Sequence, residues 1–178
     1  MSCLINEALA LDCMDSLGGV KVAYILAGEI TALSENVGGE VTEIDGTGTF
    51  YEFQLAKDTA FYNETINVSN TAGTVFYQGE LTLVLQKMDA NKRNQILLLA
   101  QNRDLRIAFV DSNNITYIAG LERGMVMSSG TAATGTAVGD LNGYTLVFQS
   151  QEPKSAVILA STLADAVATG AITVTNAI

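Results

Sequence analysis

The 178-residue sequence contains no histidine and no tryptophan, one proline (Pro153) and two cysteines (Cys3 and Cys13). Without histidine, neither a Ser-His-Asp nor a Cys-His relay can be built. Two cysteines alone leave a zinc ion short of nitrogen and sulfur ligands. The expectation for both thiols is the reduced state of an N-terminal segment made in the cytoplasm. Bases are scarce as well. Nine Lys and Arg stand against nineteen Asp and Glu, a net charge of −10, which argues against a protein that wraps nucleic acid. Although 48% of the residues are hydrophobic, no run reaches the roughly 18 to 20 apolar residues that span a bilayer. The start Met1-Ser2-Cys3-Leu4-Ile5-Asn6-Glu7 lacks the basic and apolar regions of a signal peptide, so synthesis in the cytoplasm is expected.

The charge is unevenly spread. Residues 1–80 hold twelve acids and two bases, and residues 81–178 hold seven of each. Five of the bases, Lys87, Lys92, Arg93, Arg103 and Arg106, crowd around one segment. One reading is a solvated helix flank beside an acidic surface. The other is complementarity, in which an acidic surface with Glu40, Glu43 and Asp45 on one copy meets the basic region of the next. A head-to-tail contact of unlike surfaces closes as a ring or continues as a tube. Glu40, Glu43 and Asp45 lack the ligand spacing of a calcium loop, so a solvated acidic loop is the expectation there and no metal or cofactor is called.

Strong period-2 alternation marks 74–87, where Val75, Tyr77, Leu81, Leu83 and Leu85 oppose Gln78, Glu80, Thr82 and Gln86. That is a half-buried strand, with Gly79 expected to bulge or bend it. Residues 90–101 lack Gly, Pro and alternation and predict a helix capped by Asp89, with Ile96, Leu97, Leu99 and Ala100 on its buried face. Residues 105–121 predict a hairpin turning at 111–114. Further strands are expected at 20–26, continuing after a turn at Gly28, and at 49–55, 61–69, 122–127, 144–149, 155–160 and 171–175. Segment 34–48 reads as a loop or weak hairpin and 128–143 as a long loop. A helical turn or two is expected over 161–169 with Ser161 as cap. Residues 1–17 read as a short helix or as an arm that packs on a neighbour. No linker or repeat divides the chain, which predicts a single mainly β (α+β) domain over 1–178, a sandwich or barrel flanked by one helix.

Three pieces carry a resemblance: Gly79-Glu80-Leu81-Thr82-Leu83-Val84-Leu85 leading into Lys87 and Asn91-Lys92-Arg93-Asn94; the hairpin from Ile107-Ala108-Phe109-Val110-Asp111 to Tyr117-Ile118-Ala119-Gly120; and the run from Gly135 to Leu146 followed by Glu152-Pro153. Together they resemble virion structural proteins of tailed phages of Bacteroides-type hosts, crAss-like phages included, a group related to the tail-tube and neck-ring fold. The resemblance implies a β-sandwich or barrel that oligomerises into rings around a DNA conduit. It implies tail, neck or portal proteins as partners, DNA that passes without specific binding, no membrane contact and no catalytic residue. Two alternatives remain open at the level of sequence. One is a capsid- or tail-decorating module binding through 34–48 and 128–143. The other is a hydrolase built on two neighbouring carboxylates.

Overall fold

The computed structural model describes residues 9–11, 13–167 and 171–177. Ten strands and two helices follow in the order β1 (Val20–Glu35), β2 (Val41–Gln54), β3 (Phe61–Ser69), β4 (Thr74–Gln86), α1 (Ala90–Gln101), β5 (Arg106–Asp111), β6 (Thr116–Ala119), β7 (Met125–Ala133), β8 (Gly143–Glu152), β9 (Val157–Ile158), α2 (Leu163–Ala166) and β10 (Ala171–Thr175). They form a six-stranded sheet, β10-β2-β1-β5-β6-β9, and a four-stranded sheet, β3-β4-β8-β7. The fold is therefore α+β with two sheets and a flanking helix. No closed barrel forms among the described residues.

Alternation explains why both faces of the larger sheet are covered. Ala23, Ile25, Ile107 and Phe109 point to one side and meet Leu81, Leu83, Leu146 and Phe148 of the smaller sheet. Leu26, Ala108, Ile118 and Phe50 point the other way into a second core with Leu163, Ala166 and Ile172. Successive residues thus serve different cores, which is why β1, β5 and β6 carry apolar residues on both faces.

The β1–β2 hairpin is longer than the sequence predicts. The turn expected at Gly28 is absent, and segment 34–48, expected as a loop or weak hairpin, is the end of a regular hairpin, strand from Val41 onward with only 36–40 as the connection. Asn36 organises that connection, its Oδ1 accepting from Gly38 and Glu40 N–H. Gly28 and Gly48 pair directly across the two strands. A Cβ on Gly48 would sit 2.2 Å from the Ala27 carbonyl oxygen, and one on Gly28 1.9 Å from that of Thr47. The two backbones touch where no side chain fits. Beyond this crossing β5 no longer accompanies β1, and Val41 bridges to Leu159 after β9.

Other expectations are corrected by longer-range contacts. Gly79 carries no bulge, because β4 keeps an unbroken register with both β3 and β8 through it. Its missing Cβ instead admits the Tyr62 hydroxyl, which would lie 2.5 Å from that atom. The strand expected at 122–127 is β7, running to Ala133, so the long loop 128–143 shrinks to 134–142. That remainder is folded rather than slack: Asp140 Oδ2 accepts from the N–H groups of Thr136 and Ala137 at 2.8 and 2.7 Å. These bonds hold the Asp140 carboxyl below its ordinary pKa. The strand expected at 155–160 is only the two-residue β9. Thr162, not Ser161, caps α2, its Oγ1 accepting from Asp165 N–H. Thr169 and Gly170, which were expected to end that helix, lie outside the described residues. Asp89 takes the N-cap position of α1 without a side-chain bond. Of the apolar face expected on α1, Leu99 is buried and Ile96 packs on the first core, but Leu97 and Ala100 are exposed, as is Leu98.

Candidate interaction surfaces

Three surfaces stand out on this frame. The first is a small cavity of about 100 Å³ whose lining includes Tyr62, Glu64, Ser150, Glu152, Lys154 and Ser155. Four glutamates, Glu35, Glu64, Glu122 and Glu152, line it, and paired carboxylates are what a hydrolase needs. Glu64 and Glu152 are engaged. Glu64 accepts from the Tyr62 hydroxyl (2.8 Å), Ser155 Oγ (2.5 Å) and Ala156 N–H (3.0 Å). Glu152 is buried and accepts from Glu122 N–H (3.2 Å) and Arg123 N–H (3.0 Å). Each carboxylate straps a connection to the smaller sheet, 155–156 in one case and 122–123 in the other. The cavity is well under the roughly 300 Å³ of a small-molecule site. Sequence reading missed the cluster because its members lie about 90 residues apart in the chain. Glu152→Gln keeps the shape but turns an amide donor toward a backbone donor. It is expected to cost about 2 kcal/mol, seen as a lower urea midpoint at unchanged m-value.

Tyr62 lies over Phe109 with ring centroids 4.6 Å apart, and Phe109 stacks on Tyr117 at 5.3 Å. Burial first, then the hydrogen bond to Glu64 and its charge, push the Tyr62 phenol pKa far upward. The folded state therefore keeps a proton that the unfolded chain releases near pH 10, and stability falls as pH rises past that value. Tyr24 and Tyr117 shift in the same direction, both chiefly through burial. Tyr62→Phe is expected to flatten, without abolishing, the loss of stability between pH 9 and 11 (about the range where tyrosine titrates), as read from urea midpoints.

The second surface is a groove of about 930 Å³ between α1, the Ile25–Ala27 part of β1, the Tyr51–Gln54 part of β2 and the end of β4. Helix α1 makes few contacts with the body, so Ile96, Leu98 and Leu99 form one wall of an open apolar trough. Lys92 crosses its mouth, donating to the Gln86 carbonyl at 2.5 Å.

The third is the outer end of the β3–β4 hairpin. β8 pairs with β4 only from Tyr77 onward, so Thr74–Phe76 and the paired end of β3 run past it. Ile66, Val68 and Val75 share the face of Leu81 by register, yet they are 60, 63 and 53% exposed. A core-type face thus continues beyond the core.

The charged positions singled out in the sequence fall as follows. Lys87, Arg93 and Arg103 are exposed and Lys92 half-buried around α1. Arg106 is largely buried and paired with Asp104, the salt bridge found among the described residues. Glu40 closes the 36–40 turn, accepting from Asn36 Nδ2 at 2.9 Å, while Glu43 and Asp45 lie on β2. The bases sit beside the body end of the β1–β2 hairpin and the acids on its outer half, past Gly28 and Gly48. Among the described residues no three Cys, Asp or Glu side chains converge as metal ligands, and no helix is long and apolar enough to cross a membrane. Cys13 is exposed and free, and Cys3 lies outside the described residues.

No known protein family, known protein or solved structure matches this chain.

Proposed function

We propose that this chain is a virion structural protein of a tailed phage, whose copies assemble into a ring or tube that forms part of the tail or neck conduit for DNA. The observation that carries the reading is the β3–β4 hairpin. Its inner face has the composition of a core and no cover among the described residues, which is what a subunit designed for burial against neighbours presents. The segregated charge agrees with it. A surplus of acid on the β1–β2 hairpin and a basic helix at its root give unlike surfaces for a head-to-tail contact. An acidic wall also lets DNA slide without adhering, since adhesion requires phosphate neutralisation. The resemblance of segments 79–94, 107–120 and 135–153 to tail-tube and neck-ring proteins supplies the virion setting.

The test is native mass by light scattering across a concentration series. The expected result is a mass that climbs from subunit to a defined multimer. A monomer throughout, both in solution and in the presence of isolated virion parts, overturns the proposal and favours a decorating module.

A further inference from the structure

We infer that the groove beside α1 receives the N-terminal arm, residues 9–15, of a second copy of this chain, which adds to the open edge of β4 as an extra strand. The inference rests on the reading that the chain self-assembles and names one contact by which it does so.

The groove offers an unpaired backbone edge. β3 pairs with β4 only as far as Thr82, opposite Phe61, whereas β8 follows β4 to Gln86. The N–H of Lys87 bonds the Asn142 carbonyl, on the β8 side. Backbone groups alternate sides along a strand, so Val84 and Gln86 turn theirs toward the groove. Lys92 Nζ covers the Gln86 carbonyl. Among the described residues the Val84 N–H and C=O have no partner on this side, the open edge that β-augmentation uses.

The arm has the complementary properties. Leu17 is fixed to the body by Asn113, whose side chain accepts from its N–H at 2.7 Å and donates to its carbonyl at 2.9 Å. Before that anchor, Leu9, Leu11 and Met14 are 97, 102 and 105% exposed, and the described residues form neither helix nor strand. Apolar side chains held wholly in water are a cost that docking removes. Leu9, Leu11 and Cys13 alternate as a strand with an apolar face requires. Charge selects the site: residues 1–17 carry Glu7, Asp12 and Asp15 and no lysine or arginine, and the groove is lined by Lys92, with Lys87 next in the chain after the lining residue Gln86. Neither of these two bases has a carboxylate partner among the described residues.

The arm leaves the start of β1, at Val20, whereas the groove opens midway along that strand, at Ile25–Ala27. A neighbouring copy supplies an arm without requiring the chain to reverse along its own sheet.

Cys13 gives a direct test in the full-length protein with Cys3→Ser as background. Gln95→Cys and Leu98→Cys each place a thiol on the α1 wall, and Thr65→Cys places one on the outer face of the smaller sheet as control. Mild oxidation is expected to produce disulfide-linked multimers on non-reducing gels from the two groove variants and not from the control. Lys92→Glu is expected to reduce the yield several-fold, and combining it with Asp12→Lys and Asp15→Lys is expected to restore it. Monomers with an internal disulfide, which place the arm in its own groove, overturn the inference, as does absence of any cross-link. Imaging the same preparations separates the two claims. Rings without the cross-link sink the arm contact alone, and cross-linked species that never form rings sink the conduit reading alone.

Discussion

Gly48→Val is expected to cost about 4 kcal/mol of stability, combining backbone strain with overpacking. In a chain of this size that lowers the melting midpoint by about 10 °C. Gly48 has a φ of 123°, a conformation closed to residues with a Cβ. Its α-carbon also faces Gly28 across the sheet, and any side chain meets the Ala27 carbonyl. Neither strand can retreat. β1 is held by β5 up to Leu26, and β2 is held by β10 from Thr47 to Tyr51. The strain therefore reaches the second core, where Phe50, two residues away, is completely buried. Gly18→Ala is the control, since a Cβ there meets nothing within 4 Å, and it is expected to leave the midpoint within about 1 °C. Calorimetry or a thermal scan by circular dichroism reads both.

The paired change Ile66→Glu and Val68→Glu is expected to have the opposite character. Stability of the subunit is nearly untouched, because both side chains are already more than half exposed. Assembly is lost. Two carboxylates buried without partners in a subunit contact each cost several kcal/mol, and their loss of affinity exceeds about a hundredfold. Light scattering should show a monomer at concentrations where the parent protein is expected to be multimeric, with an unchanged melting curve. A variant that assembles like the parent would show that the outer end of the β3–β4 hairpin lies outside the contact. Outer-face changes on the same hairpin, such as Thr65→Glu, serve as the matched control, since Thr65 pairs with Gln78 on the polar side.

The elements legible in the sequence were those whose pattern is local. The hairpin of β5 and β6 follows from alternation at 105–110 and from Asp111, whose Oδ1 accepts from both Asn113 and Ile115 N–H. The strand 74–87 was legible for the same reason, although its glycine was misread, since Gly79 answers to Tyr62 from another strand rather than to its own chain. Helix α1 was legible as a helix but not in its orientation. Ile96-Leu97-Leu98-Leu99 is a run of four apolar residues and carries no phase, so tertiary contact alone decides that Ile96 and Leu99 pack. The Gly28–Gly48 crossing was illegible because it depends on pairing register, and twenty residues separate its two members in the chain. The candidate surfaces divide likewise. The basic cluster around α1 was visible as a local concentration of charge. The removal of Arg106 into a pair with Asp104, and the joint role of Glu64 and Glu152 around one cavity, were not visible, because burial and side-chain direction are set by the packed sheets.

Negative-stain imaging of the largest purified species shows whether copies of this chain enclose a channel. Rings or short tubes of uniform diameter with a stain-filled hole on the axis are expected. Solid particles, irregular aggregates or isolated subunits at every concentration would contradict the conduit reading.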